Sequence, residues 1–131
     1  MAEQDEWVVK SLQSLGGAES EVANLRYDNA VNRAYYACFQ AAVAALLNAG
    51  EKPATGQGTR SHAVIQASFV RELIRRRKLY PASLASILPD LYAIRQQADY
   101  TTVAVSDIRC RRAVEKARSF VAEVQKRLEV K

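Results

Sequence analysis

The sequence has 131 residues, 49% of them hydrophobic and 25% charged, a balance that is typical of one globular domain and excludes a disordered or collagen-like chain. The formal net charge is +5, with acidic residues concentrated in residues 1–25 and basic residues in 60–80 and 107–131. A basic surface attracts phosphate, but the same pattern fits solvated helix faces or a surface paired with the acidic N-terminus. We predict a single domain over residues 1–131.

The composition also bears on the cellular compartment. Cys38 and Cys110 are too few for a disulfide framework, which favours a reducing environment. The acidic N-terminus lacks the apolar stretch of a secretory signal. The longest apolar run, residues 34–47, is interrupted by Gln40 and is shorter than the roughly 18 residues of a membrane span. We therefore expect a cytoplasmic protein that does not cross a membrane.

Residue types that bind metals and cofactors are scarce. One histidine and two cysteines far apart in the sequence cannot supply a zinc site. Gly56 and Gly58 are not followed by the Gly-Lys-Ser/Thr of a phosphate-binding loop, and no predicted strand precedes them. We therefore predict neither a metal nor a cofactor.

The hydrophobic periodicity is helical throughout. In the first segment, residues 3–15, apolar residues lie three and four positions apart: Trp7, Val8, Leu12 and Leu15. Gly16 and Gly17 are expected to end or kink this helix, and the pattern resumes over residues 18–25. The N-terminal helix is therefore predicted to be short or split.

The second segment, residues 27–49, is apolar on nearly all sides, which predicts a central, buried helix. Small residues form one stripe at helical spacing: Ala30, Ala34, Ala37, Ala41 and Ala45. Larger residues form a second stripe: Tyr36, Phe39, Val43 and Leu46. A stripe of alanines lets a neighbouring helix come close. Gly50 is a natural end for the helix.

A loop is predicted over residues 51–59, where Pro53 and two glycines lie close together. Thr59 or Ser61 can then cap a third helix. The inner face of that helix is expected to consist of Ile65, Phe69 and Leu73.

Two prolines mark the next predicted helix. Pro81 suits its first turn, and Pro89 lies inside its apolar pattern, so the helix is kinked or restarts there. The last helix begins near Ser106 or Asp107 and continues with a heptad-like apolar pattern. The predicted fold is all-α, an up-and-down antiparallel bundle of four main helices plus a short or split N-terminal helix.

Polar residues inside apolar helices are the strongest candidates for a functional site. Asn32 and Arg33 lie near the start of the second helix, and Arg95, Asp99 and Tyr100 near the end of the fourth. Arg95 and Asp99 are four residues apart, so they share a helix face and can pair. The pair can be purely structural, or Arg95 can meet a phosphate that Asp99 orients. We expect these residues to form one polar pocket, with Arg95, Asp99 and Tyr100 as candidate catalytic residues.

Two further features have both a functional and a structural interpretation. Arg75, Arg76 and Arg77 suit the negative end of a helix dipole and, with Asn32 and Arg33, are candidates for binding a phosphate or nucleotide. His62 is the single histidine and can act as a general base at neutral pH. A histidine in the first turn of a helix is, however, more often an ordinary surface residue.

Four stretches together resemble the HEPN domain (higher eukaryote and prokaryote nucleotide-binding), in particular its small stand-alone bacterial and archaeal members. They are RYDNAVNRAYYACFQAAVAALL, SHAVIQASFV, IRQQADYTT and AVEKARSFVAEV, and the resemblance is strongest over residues 18–128. It implies an up-and-down helical bundle that commonly dimerises. It also implies a minimal nucleotidyltransferase as the partner in toxin–antitoxin-like pairs.

The resemblance has chemical implications as well. Many HEPN proteins are metal-independent ribonucleases. Their catalytic pair is an arginine and a histidine that follows it a few residues later, and the pair lies at the dimer interface. It cleaves RNA by using the 2′-hydroxyl of the RNA itself. Arg95 matches the arginine, but Tyr100, Thr101 and Thr102 occupy the positions where the histidine would fall. Tyrosine stays protonated at neutral pH and is a poor general base. In some relatives the partner attaches nucleotides to a tyrosine just beyond the histidine, and Tyr100 lies near that place.

Three functions follow as hypotheses. We predict a HEPN protein that binds a nucleotidyltransferase partner, a nucleotide or RNA phosphate and lacks nuclease activity because the histidine is missing. One alternative is a ribonuclease toxin that uses Arg95 with Tyr100 or Asp99. The other is a module that binds nucleic acid without cleaving it. We also expect a homodimer in which part of the apolar surface of the second and fourth helices contacts a second copy.

Overall fold

The computed structural model describes residues 2–53 and 59–129, and within them it contains helices and no β-strand. The α-helices are α1 (Glu3–Ala23), α2 (Tyr27–Asn48), α3 (Thr59–Ser68), α4 (Ile87–Tyr100) and α5 (Asp107–Glu129). The predicted all-α bundle is therefore confirmed. The middle of the predicted loop, residues 54–58, lies outside the described part of the chain.

The central helix of the bundle is α2, as its composition predicts. It packs against α1, α3, α4 and α5, and between Ala30 and Leu46 all its residues are buried except four. These four are Asn32, Arg33, Tyr36 and Gln40, which recur at spacings of three and four. They therefore form a single half-exposed strip along a helix that is otherwise covered by its own neighbours. The apolar surface of α2 is satisfied within one chain and gives no argument for a dimer.

Gly16 and Gly17 do not end the first helix, because α1 is continuous over 21 residues. The expectation of a short or split helix fails because α1 packs along α2, and such packing outweighs the low helix propensity of two glycines. Of the predicted apolar face of α1, Trp7, Leu15 and Val22 are partly buried against the core, whereas Leu12 is 39% exposed. The residues of α1 that are buried most deeply are small ones that the apolar pattern did not predict: Ser11, Ser14 and Ala18.

Small side chains at this interface bring the two helices into direct polar contact. The hydroxyl of Ser11 donates a hydrogen bond of 2.7 Å to the backbone carbonyl of Ala37, which is buried on α2. The hydroxyl of Ser14 lies 2.7 Å from the side-chain amide of Gln40. The alanine stripe of α2 therefore lets a neighbouring helix come close, as predicted. That helix is α1, which contributes a stripe of serine and alanine residues.

Other helix boundaries follow the local signals. Gly50 follows α2 with a φ of 85°, in the left-handed region that glycine favours. Pro81 precedes a short 3₁₀-helix, Ala82–Leu84, instead of lying in the first turn of α4. α4 begins at Ile87, so Pro89 lies in its first turn, and the predicted restart is the correct alternative. The hydroxyl of Ser106 accepts a hydrogen bond of 3.2 Å from the backbone N–H of Arg109 and caps α5.

The third helix changes its winding partway along. After Ser68 it continues as a π-helical segment, Phe69–Arg76. A π-helix pairs residues five positions apart, so Phe69 and Ile74 return to the same face, and both are buried with Leu73. The helix predicted for this stretch is present, and its second part is wound with the wider turn of a π-helix, which brings these apolar residues to the buried face. Among the described helices, none combines the length and the apolar character that a membrane crossing requires.

The continuity of α1 gives a prediction for its glycines. A Cβ added at Gly16 would meet no atom within 4 Å, so Gly16→Ala should stabilise the fold by about 0.5–1 kcal/mol, because alanine loses less backbone entropy in a helix. Urea unfolding measures the change. Gly50→Ala is the matched control, since its φ of 85° strains any other residue and should make that variant less stable. Destabilisation by Gly16→Ala would contradict an unbroken helix.

Candidate functional site

A hydrogen-bonded network connects α2 with α4. The Asn32 side-chain N–H donates to Asp99 Oδ2 at 2.9 Å, and Arg95 Nη1 donates to the same oxygen at 3.3 Å. Arg33 completes the network because its Nε and Nη2 donate to Asn32 Oδ1 at 3.1 and 2.9 Å. The structure thus brings together four residues predicted to share a site, although they come from helices far apart in the sequence.

Arg95 lies almost entirely inside the protein. It is 5% exposed, and its Nη1 also donates to the Tyr36 hydroxyl at 3.3 Å. Its guanidinium carbon lies 5.2–5.9 Å from the ring centroids of four tyrosines: Tyr35, Tyr36, Tyr92 and Tyr100. The aromatic faces and the Asp99 carboxylate compensate a charge that would otherwise be costly to bury. Arg95 therefore forms the floor of the site, below the surface.

Tyr100 behaves differently from the other tyrosines around Arg95. It is the last residue of α4 and is 73% exposed, while its ring centroid remains 5.9 Å from the Arg95 guanidinium carbon. An exposed aromatic ring beside a buried cation is a surface on which a planar group can stack. Tyr100 is thus positioned beside the network without being buried in it.

His62 joins the same site from α3, and its expected place as an ordinary surface residue is wrong. The half-buried imidazole packs among aromatic rings, with centroid distances of 4.8 Å to Phe39, 5.7 Å to Tyr92 and 5.9 Å to Tyr36. Its Nδ1 lies 2.7 Å from the hydroxyl of Tyr35, which is fully buried. The signal in the sequence is the spacing of four between His62 and Gln66, which places two polar residues on one face of α3. In the structure both contact the Tyr35 hydroxyl.

Burial affects the protonation of these groups. Desolvation, followed by the positive charge of Arg95, lowers the pKa of His62 below its ordinary value, so the ring is neutral at pH 7. Desolvation also raises the pKa of Tyr35 well above its ordinary range, which keeps its hydroxyl protonated. The Tyr35–His62 contact is therefore a hydrogen bond between two neutral groups.

Tyr36 lies at the centre of these groups. Its ring centroid is 5.2 Å from the guanidinium carbon of Arg33, 5.5 Å from that of Arg95 and 5.9 Å from the His62 ring. We call Arg33, Tyr36, His62 and Arg95 the Tyr36 cluster. Of its two arginines, Arg95 is paired with Asp99, whereas Arg33 forms no ion pair with a carboxylate among the described residues. The cluster and Asp99 together therefore carry one net positive charge.

Arg33 also borders an open cleft of about 410 Å³ between α1 and α2. The cleft is lined by Gly17, Ser20, Glu21, Asn29, Asn32 and Arg33. Glu21 is already engaged, since its carboxylate accepts hydrogen bonds from Arg26 and Asn29. The half-exposed Arg33 is thus the positive group of the site that a solute can reach.

The basic run Arg75–Arg76–Arg77 lies elsewhere in the molecule. Arg77 donates to the backbone carbonyl of Ala49 at 2.6 Å, beyond the end of α2, and Asn32 lies about 25 Å away by the rise of a helix. Arg76 is paired with Glu72. The run does not join Asn32 and Arg33, so it cannot contact the same small ligand. Within the described residues, no group of three or more His, Cys, Asp or Glu side chains is arranged to hold a metal ion.

The Arg95–Asp99 pair gives a stability prediction. Asp99→Ala leaves a buried guanidinium without its carboxylate and should destabilise the fold by about 1–3 kcal/mol. Asp90→Ala is the matched control on α4, because Asp90 and Lys116 form an exposed pair and should contribute at most about 0.5 kcal/mol. Urea unfolding compares the two variants. Equal effects would show that the Arg95–Asp99 pair does not hold α4 against α2.

Comparison with protein families agrees with the geometry. The family model described as the HEPN domain matches residues 4–128, which is nearly the whole chain. No curated protein matches the chain in sequence. The chain therefore belongs to the HEPN domain family.

Proposed function

We propose that this HEPN domain binds the phosphate of a nucleotide or of single-stranded RNA at the Tyr36 cluster and does not cleave it. The observation that carries the proposal is the state of Arg33. Its guanidinium is half-exposed, stacked on Tyr36 and oriented by Asn32, and no described carboxylate neutralises it. A preoriented, uncompensated arginine beside an open cleft is well suited to contact a phosphate.

The other members of the cluster support binding in different ways. Arg95 adds positive charge from below, although its pairing with Asp99 limits direct contact with an anion. Tyr100 presents an exposed ring next to it, and stacking of a base on such a ring is worth about 1–3 kcal/mol. A nucleotide or a single-stranded segment supplies both the phosphate and the base that this surface can accept.

The same geometry argues against cleavage. Tyr100, Thr101 and Thr102 follow Arg95 where an active HEPN ribonuclease is expected to carry its histidine. His62 is close to the site, but its Nδ1 faces the Tyr35 hydroxyl, which also accepts a hydrogen bond from Gln66 at 3.3 Å. The Tyr35 proton is then best placed to point at His62 Nδ1. In that arrangement the proton of the neutral ring sits on Nε2, which is a donor and not a base.

Binding can be tested with a fluorescently labelled single-stranded RNA and anisotropy measured over a range of salt concentrations. Arg33→Ala should weaken binding and reduce the slope of log K against log salt by about one, as expected for the loss of one phosphate contact. Arg112→Ala is the matched control, since Arg112 is an exposed arginine on α5, a helix that contributes no residue to the cluster. Identical salt slopes in wild type and Arg33→Ala would contradict a phosphate site at Arg33.

The ribonuclease alternative is decided in the same samples by gel electrophoresis. Our proposal expects intact RNA after prolonged incubation. Shorter fragments that disappear in Arg95→Met would establish the ribonuclease function instead, with Arg95 as an essential residue.

We also propose that the chain acts as a homodimer with a minimal nucleotidyltransferase as its partner. Support comes from exposed apolar residues around the α1–α2 and α4–α5 connections: Leu25, Val103 and Ile108 are 66%, 63% and 63% exposed. Light scattering should give twice the chain mass, and Ile108→Glu should give the monomer, while Val9→Glu on α1 should have no effect. A tagged chain should recover the partner from native cells. A monomeric wild type would contradict the homodimer. Recovery of the tagged chain without a nucleotidyltransferase would contradict the proposed partner.

A further inference from the structure

We infer that His62 is a phosphate-binding residue of the Tyr36 cluster, with its Nε2–H as the donor. The inference rests on the proposed function and adds a residue from α3 to a site otherwise built by α2 and α4. Tyr36 contacts both groups concerned, since Arg33 stacks on its ring and His62 packs against the same ring from α3. A phosphate beside the half-exposed Tyr36 is then bordered by both.

The orientation of the imidazole is fixed from behind. Tyr35 is fully buried and its hydroxyl lies 2.7 Å from His62 Nδ1, while Gln66 Nε2 donates to that hydroxyl at 3.3 Å. Phe39 and Tyr92 pack against the ring in a tilted arrangement, at centroid distances of 4.8 and 5.7 Å. Nε2 has no hydrogen-bond partner among the described residues, and it is the nitrogen on the side of the ring away from Tyr35. A half-buried polar atom held in this way is prepared for a ligand.

The charged and titratable groups around His62 link its protonation to anion binding. α4 contributes Arg95, Tyr92 and, through Arg95, Asp99; α2 contributes Tyr35 and Tyr36; α3 itself contributes the neutral Gln66. Burial and the positive charge of Arg95 lower the pKa of His62, so the empty site holds a neutral ring. A bound phosphate brings a negative charge that offsets Arg95 and favours the protonated ring, in which Nδ1 carries the added proton and donates to the Tyr35 hydroxyl oxygen.

The sign of the pH dependence follows from this link. Binding raises the pKa of His62, so the occupied protein holds more protons than the empty one between the two pKa values. Affinity must therefore increase as pH falls through that interval. The increase is about tenfold for each unit by which binding raises the pKa. Above the interval the ring is neutral in both states, and the protonation of His62 no longer changes the affinity.

The test uses a deoxydinucleotide, a phosphodiester whose charge is constant over this pH range and which lacks the 2′-hydroxyl. Because His62 is the single histidine of the chain, its imidazole Cε1–H resonance in the untagged protein can be assigned without variants. We expect that saturation with the dinucleotide shifts this resonance and raises the pKa measured from its titration. We also expect tighter binding at low pH.

Two variants separate contact from structure. His62→Gln keeps an amide donor but cannot titrate, so it should bind the dinucleotide at high pH nearly as well as wild type and lose the gain at low pH. Tyr35→Phe removes the hydrogen bond at Nδ1 and should change the tautomer of His62, which ¹⁵N shifts report. Arg112→Ala should leave both the affinity and its pH dependence unchanged.

Failure of the His62 inference and failure of the proposed phosphate binding give different results. Binding of the dinucleotide with an unmoved His62 resonance, an unchanged pKa and the same pH dependence in His62→Gln would overturn this inference and leave the phosphate site intact. Absence of binding at any pH, together with wild-type behaviour of Arg33→Ala toward RNA, would overturn the proposed function and this inference with it.

Discussion

The structure depends on the burial of α2. A helix of 22 residues that is apolar on nearly all sides must be covered by other helices, and in this chain α1, α3, α4 and α5 provide the cover. The strip of Asn32, Arg33, Tyr36 and Gln40 is what this arrangement leaves half-exposed. Polar residues on α2 occur where neighbouring helices do not close over it. The position of the proposed binding surface is thus a consequence of how the core is packed.

The second constraint is the buried charge of Arg95. A guanidinium that is 5% exposed requires compensation, and α4 can pack against the strip of α2 only because Asp99 and the surrounding tyrosine rings provide it. Asn32 holds the same Asp99 oxygen, so the pair is tied to α2 as well. The two arginines therefore differ. Arg95 is paired and holds the helices together, whereas Arg33 keeps the exposed charge that we propose contacts a phosphate.

Much of this arrangement could be predicted from local spacing. Arg95 and Asp99 are four positions apart, which places them on one helix face, and the composition of residues 27–49 predicts the central helix. The contact between Asn32 and Asp99, which are 67 residues apart, required in addition that the second and fourth helices be neighbours in the bundle. The burial of Ser11 and Ser14 in place of Leu12 could not be predicted from α1 alone, because the alanines of α2 select small residues at the interface.

The sequence by itself determined which segments are helical, which helix is central and which polar residues stand out against apolar surroundings, because these depend on propensity and on periodicity within one segment. The tertiary structure decided that α1 continues through Gly16 and Gly17, that Arg75–Arg76–Arg77 lies far from Arg33, and that His62 meets Tyr35 and Tyr36. These outcomes depend on the fit between surfaces of different helices. Side-chain volumes and close packing set that fit, and no single segment contains it.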